Sequence, residues 1–172
     1  GFNCPLLLMT SGGTLTNVAS ACNNPVRLVE SGPAGGAILA TSIAEDLKLD
    51  KVISFDMGGT TAKITIIENQ KAIKAREFEV DRKARFKKGS GFPLRIPVIE
   101  MVEIGAGGGS IARVNKLDQI ITGPDSAGSN PGPACYSNGG KNPTITDADL
   151  VIGKIDPDKF AEGKINLSKE FA

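Results

Sequence analysis

Apolar and polar positions fall mostly in short runs broken by glycine, proline and asparagine, the pattern of brief strands and tight turns, with one longer stretch at helical period. Residues 5–9 read as a short buried strand, followed by a Gly12-Gly13 turn and a short helix over 16–22 that Pro25 ends. Residues 26–29 read as extended chain. Ser31-Gly32-Pro33 has the form of a helix start with proline at an early position, and Ile38, Leu39, Ile43 and Leu47 recur at helical spacing as its apolar stripe. Ala34, Gly35 and Gly36 would let that first turn approach a neighbour closely.

Residues 52–55 form a strand entering Asp56-Met57-Gly58-Gly59-Thr60-Thr61, and 64–67 leave as another, with a turn at Glu68-Asn69-Gln70 behind it. Residues 72–80 extend the same sheet, and 81–91 read as a solvated basic loop carrying Arg82, Lys83, Arg85, Lys87 and Lys88. A further strand over 97–104 runs into Gly105-Ala106-Gly107-Gly108-Gly109-Ser110, and 111–114 with 119–121 flank an Asn115-Lys116 turn as a hairpin. Residues 123–143 are mostly Gly, Pro, Ser and Asn. Thr146-Asp147-Ala148-Asp149 then reads as a helix cap with an acidic third position, opening a short helix through Val151.

Of 172 residues, 40% are apolar and 23% charged, the balance of a soluble globular protein. Roughly 70% of the unfolded surface of such a chain is buried on folding, enough for one sizeable core. The expected organisation is therefore a single domain over 1–172, with 161–172 as a frayed tail. A net charge of +1 supplies no global field for nucleic acid or anionic lipid, so neither is expected as a partner.

The absence of histidine changes the picture more, since it removes the usual general base near neutral pH and the commonest metal ligand. Ser-His-Asp, Cys-His and His-zinc chemistry is excluded within this chain. Cys4, Cys22 and Cys135 form no CxxC pair and make a poor disulfide framework, so reduced thiols and a cytoplasmic location are expected. Apolar runs stay far below the ~18 residues of a membrane span, and no charged-then-apolar leader is visible. The start at Gly1 and the end at Phe171-Ala172 suggest a piece of something longer.

The stretch from Asp56 to Thr60 is the most informative for chemistry. An acid directly after a strand, then two glycines before a hydroxyl, suits a phosphate-binding hairpin. Glycine lets consecutive N–H groups face an anion, Thr60 adds a hydroxyl donor, and Asp56 offers a carboxylate to magnesium directly or through water. The plain alternative is an ordinary tight hairpin.

Two other phosphate loops are set aside. Gly140-Lys141 is followed by Asn142, and Cys135 stands where a Walker A loop needs its first glycine. At Gly105 the third glycine of a dinucleotide fingerprint falls on Ser110, and strand rather than helix follows. The loop is then either a backbone nest facing a ligand or a close crossing of two segments. Cys135 has no histidine to activate it and reads as a buried thiol. Asn166-Leu167-Ser168 matches a glycosylation acceptor, irrelevant without export.

Several motifs coincide in order: ESGPAGGA from Glu30, DMGGTTAK from Asp56, IGAGGGSIA from Ile104, GPDSAG from Gly123, PGPACY from Pro131 and PTITDADL from Pro143. Together, over about 8–160, they resemble the hydantoinase/oxoprolinase family, specifically its A-type subunit. The resemblance implies an α/β fold of the actin-like ATPase (ribonuclease H-like) kind, a mixed sheet with flanking helices, here incomplete. It implies ATP and Mg2+ as cofactors, a hydantoinase B-type subunit as partner, and a small cyclic amide or ketone as substrate.

On that reading Asp56 is catalytic and positions magnesium, and Gly58, Gly59, Thr60 and Thr61 hold phosphate. Gly107, Gly108 and Gly109 would line the same cleft. Some relatives follow the DMGGT turn with Ser-Thr-Asp, where this chain has Thr61-Ala62-Lys63, so no role of that later Asp carries over. The leading expectation is part of an ATP-dependent hydrolase of cyclic amides, inactive as an isolated piece. The alternatives are a subunit of an ATP-dependent ketone carboxylase, a non-catalytic nucleotide-binding or scaffold module, and a small-molecule kinase.

Overall fold

The computed structural model describes residues 3–81, 83 and 89–172; Arg82, Arg85, Lys87 and Lys88 of the expected basic loop lie outside them. The chain divides into two compact units, residues 1–56 with 63–102, and residues 57–62 with 103–172.

In the first unit β1 (Leu7–Met9) pairs antiparallel with β2 (Leu15–Asn17), Leu8 opposite Thr16. The buried strand expected over 5–9 is shorter and only half-buried, with Leu7 49% exposed and Leu8 and Met9 partly covered. The Asn17 side chain accepts the Ser20 N–H and so starts α1 (Val18–Asn23), which buries only Ala21. Of the expected extended residues 26–29 only Val29 is extended: Pro25–Leu28 is a 3-10 turn closed by Arg27 N–H on Asn24 O and Val29 N–H on Val26 O. Proline at its first position presets a helical φ, so Pro25 starts a turn as well as ending a helix.

The long helix α2 (Ser31–Asp46) forms as expected, but on a different face. It buries Ala34, Ala37 and Ala44, and Ala34 and Ala37 pack with Ile99, Ile38, Ala72 and Met101. Leu39 and Leu47, each 63% exposed, stand outward with Ile43. Two apolar stripes share the helical period, and the small one lets the helix axis lie close to its neighbours.

Beyond α2, β3 (Lys51–Met57) and β4 (Ala62–Glu68) are neighbours in one sheet, and β5 (Lys71–Ala72) pairs antiparallel with β4. Asn69 and Gln70 both take left-handed φ, 50° and 61°, which suits the two-residue turn between β4 and β5. Residues 72–80, expected to extend this sheet, leave it after Ala72. β6 (Lys74–Ala75) pairs with β9 (Val98–Ile99), and β7 (Phe78–Val80) with β8 (Phe92–Leu94), both antiparallel.

The chain passes through β10 (Val102–Ile104) into the second unit, where β11 (Ser110–Val114) and β12 (Ile120–Ser126) form the expected hairpin. Asn115 Oδ1 accepts the N–H groups of Leu117 and Gln119 at its turn. The cap of α3 (Ile145–Val151) lies two residues earlier than expected: Thr144 is the cap and Asp147 its acidic third position. A second core gathers Cys135, Leu150 and Leu167, with Tyr136 and Phe160 rings 5.6 Å apart beside them. Within the segment expected to fray, Leu167 is 8% exposed and Ser168 N–H donates to Cys135 O. The fold class is α/β as expected, with antiparallel pairing in several small sheets.

Candidate functional site

Asp56 is the last residue of the first unit, on an exposed position of β3. Its Oδ2 lies near Gly36 in α2, where a Cβ would stand 3.4 Å away, at ordinary van der Waals contact. Near the start of α2, Glu30 takes φ 61° and pairs with Lys63 of β4 at 3.0 Å, with the two side chains 32% and 13% exposed. Lys63 ends the DMGGTTAK motif, and its partner Glu30 opens the ESGPAGGA motif.

The turn after β3 belongs to the second unit. Gly58 N–H donates to Thr61 O at 2.9 Å, leaving Gly59 and Thr60 as a two-residue tip that is exposed. Neither Gly58 nor Gly59 has a left-handed φ, and a Cβ on Gly59 would meet nothing within 4 Å. Glycine at 59 therefore answers no steric demand of the folded chain among the described residues.

The demand for glycine is at the neighbouring loop. Cβ atoms would stand 2.5 Å from Thr60 N at Gly107, 2.6 Å from Thr146 Oγ1 at Gly108, and 2.8 Å from Ser126 Oγ at Gly109. Of the two readings left open for this loop, the close crossing is the one found. Its N–H groups are spent inside the protein: Gly107 on Ser110 Oγ at 2.9 Å, Gly108 on Gly58 O at 2.9 Å, and Gly109 on Gly59 O at 2.8 Å.

Those last two bonds determine what the turn presents. In a planar trans peptide the C=O and the following N–H point to opposite sides. With the Gly58 and Gly59 carbonyls held by the Gly107–Gly109 loop, the N–H groups of Gly59 and Thr60 face away from it. Neither has an acceptor among the described residues. Two consecutive N–H groups on one side of a turn are an arrangement that can receive an anion. Thr61 contributes its carbonyl to closing the turn.

The loop is in turn held by α3, where Thr146 N–H donates to Gly108 O at 2.8 Å. Next to it, Asp147 takes the Cys135 N–H on Oδ1 at 2.8 Å and the Thr144 N–H and hydroxyl on Oδ2 at 2.7 and 2.8 Å. Burial pushes the Asp147 carboxyl up, but hydrogen bonds from Cys135 and Thr144 outweigh it and hold the group below its ordinary range. Burial, then the hydrogen bond to Asp147 and its charge, push the Cys135 thiol up to about 12. The thiol is buried and inert, as its lack of an activating base implies.

Sequence reasoning missed this network, although Thr144-x-x-Asp147 is a capping-box spacing. Among the described residues no three Cys, Asp or Glu side chains gather as a metal cage. The lone carboxylate of Asp56 nevertheless fits magnesium, which takes one or two carboxylates and completes its shell with waters and phosphate oxygens.

Residues 1–172 match the family model described as Hydantoinase/oxoprolinase. An uncharacterised protein of Methanocaldococcus jannaschii is 43% identical over all of this chain and 26% of its own length. Caprolactamase subunit alpha of Pseudomonas jessenii is 34% identical over all of this chain and 23% of its own. Nucleotide-free acetone carboxylase, solved in work on ATP-dependent acetone carboxylation, superposes with a TM-score of 0.67 at 27% identity, over 96% of this chain and 22% of that one. The chain thus spans 26% and 23% of the lengths of the two sequence relatives.

Proposed function

Since the chain belongs to the hydantoinase/oxoprolinase family over its whole length, we propose that it is the phosphate-binding part of an ATP-dependent hydrolase of cyclic amides. The observation that carries this is the pair of outward N–H groups at Gly59 and Thr60, held in direction by bonds to the carbonyls behind them. ATP supplies a phosphoryl group to an unreactive carbonyl oxygen, making it a good leaving group. The chain's part is electrostatic. Gly59 and Thr60 N–H and the Thr60 hydroxyl bind phosphate oxygens, with Gly58 and Thr61 closing the turn. Asp56 holds magnesium through its exposed carboxylate. Gly107, Gly108 and Gly109 line the back of the turn and orient it without donating to the nucleotide.

The caprolactamase relative is an alpha subunit, which supports a second subunit here, and we assign it to the hydantoinase B type. No helix among the described residues is long and apolar enough to cross a membrane, and Cys4, Cys22 and Cys135 are free thiols. Both fit the cytoplasmic location we propose. Ketone carboxylation is the second reading, favoured by the likeness to acetone carboxylase.

Turnover of magnesium-ATP by the full-length protein with its partner subunit, measured with lactams, hydantoins, 5-oxoproline and small ketones, tests the assignment. Stimulation by a cyclic amide, lost by at least 100-fold in Asp56→Ala, is expected. Stimulation by ketones with bicarbonate alone would favour the carboxylase. ATP binding with no turnover would leave a nucleotide-binding module, and a phosphorylated product in place of free phosphate would mean a kinase.

A further inference from the structure

Behind the turn lies a buried carboxylate that the proposed chemistry does not use. Asp147 is 2% exposed, and both of its oxygens are engaged by protein donors. We infer that Asp147 is a positioning residue for nucleotide binding: through the first turn of α3 and the Gly107–Gly109 loop, it sets the direction of the Gly59 and Thr60 N–H groups. This rests on the phosphate reading above.

The path is continuous. Asp147 ties Thr144, the cap of α3, to Cys135 in the Gly/Pro-rich segment. That holds the following turn so that Thr146 N–H reaches Gly108 O at 2.8 Å. The Thr146 hydroxyl lies against Gly108 so closely that a Cβ there would be 2.6 Å from it. The same Gly108, and then Gly109, donate to the carbonyls of Gly58 and Gly59. From Thr146 onward every hydrogen bond in the path joins backbone to backbone. A shift of the helix start is therefore passed to the two peptide planes, and the N–H edge of each plane is the edge offered to phosphate. No flexible side chain lies along that route to absorb it.

A carboxylate is needed because the groups facing Asp147, the Cys135 N–H and thiol and the Thr144 N–H and hydroxyl, all donate to it. Asparagine has nearly the same shape but presents one oxygen and one NH2. Either the Cys135 N–H or the Thr144 pair is then left against another donor, buried and unpaired. The helix start must move or lose a bond.

The test is calorimetric titration of the full-length protein, with its partner subunit, by magnesium-ATP. Asp147→Asn is expected to raise the dissociation constant at least tenfold. Leu150→Ala, which loosens the same helix from its apolar side, should lower the unfolding temperature as much or more while leaving the constant within threefold. Equal weakening in both variants, or none in Asp147→Asn, overturns the inference. If Asp147→Asn does not yield folded protein, Thr144→Val removes one of the same donors, and Thr144→Ser must then restore wild-type affinity; failure of either expectation also overturns it. Gly59→Ala separates the two layers. If it weakens ATP binding and Asp147→Asn does not, only the positioning role fails; if neither does, the phosphate reading itself is wrong.

Discussion

Two glycine-to-alanine substitutions in the paired loops should have opposite consequences. Gly59→Ala adds a methyl group where nothing lies within 4 Å and where φ is outside the left-handed region. Its effect on folding is then set by the unfolded chain, which loses freedom; such changes stabilise by about 0.4–1 kcal/mol. The methyl group stands beside the N–H groups assigned to phosphate. Loss of one hydrogen bond to a charged group costs about 1.5–3 kcal/mol, so ATP affinity should fall roughly 10- to 100-fold.

Gly107→Ala places its Cβ 2.5 Å from Thr60 N and 2.6 Å from Gly59 C, and these are backbone atoms with no free end to swing aside. Overpacking of that kind costs about 1–3 kcal/mol or more, so this variant should be clearly less stable. Thermal unfolding of the full-length protein and calorimetric titration with magnesium-ATP read the two effects separately. The reasoning is refuted if Gly59→Ala binds ATP like the wild type, or if Gly107→Ala is as stable as the wild type.

Cys135, with its thiol pushed up to about 12, should resist a maleimide at pH 8, where only about one molecule in 10,000 carries the thiolate, while exposed Cys4 and Cys22 are labelled. Peptide mass mapping checks this, and labelling of Cys135 in the folded protein would contradict its burial. Breaking the partly buried Glu30–Lys63 pair by Glu30→Gln should cost about 1–3 kcal/mol, between the values for exposed and buried pairs, as read from denaturant unfolding. A cost under about 0.3 kcal/mol would place it among ordinary surface pairs.

Local rules carried most of the elements that were legible in advance. Pro33 at the third residue of α2 and the turn residues around Asn115 each act over a few positions, and both the helix and the hairpin formed where those residues pointed. Failures came where two local rules competed or where packing decided. Pro25 both stops α1 and begins a 3-10 turn, and only the first role was read. In α2 the larger stripe of Leu39, Ile43 and Leu47 outweighs the alanines in any count of hydrophobicity, yet Ala34 and Ala37 face the core beside Ile99. Close approach favours small side chains, and nothing in the periodicity of one helix shows which face has a neighbour near enough to need them. The cap of α3 was misplaced because Thr144 and Thr146 are both good caps; hydrogen bonds from distant Cys135 select the first by holding the Asp147 carboxylate in place.

The candidate site shows the same division at finer scale. Its location was legible, because an acid, two glycines and a threonine directly after a strand are a local pattern. The division of labour was not. Glycine at 107, 108 and 109 and glycine at 58 and 59 look alike in a sequence, and each set can be read as a row of N–H donors for an anion. Gly107 donates to Ser110, while the Gly108 and Gly109 donors are consumed by the turn's carbonyls, and that is what turns the N–H groups of Gly59 and Thr60 away from the loop. One set of glycines permits contact between backbones, while Gly59 keeps open a space that nothing in the described chain fills. Telling these apart needs the partner of each peptide group, and such pairing is fixed between segments some fifty residues apart, beyond the reach of any rule that acts within a few positions.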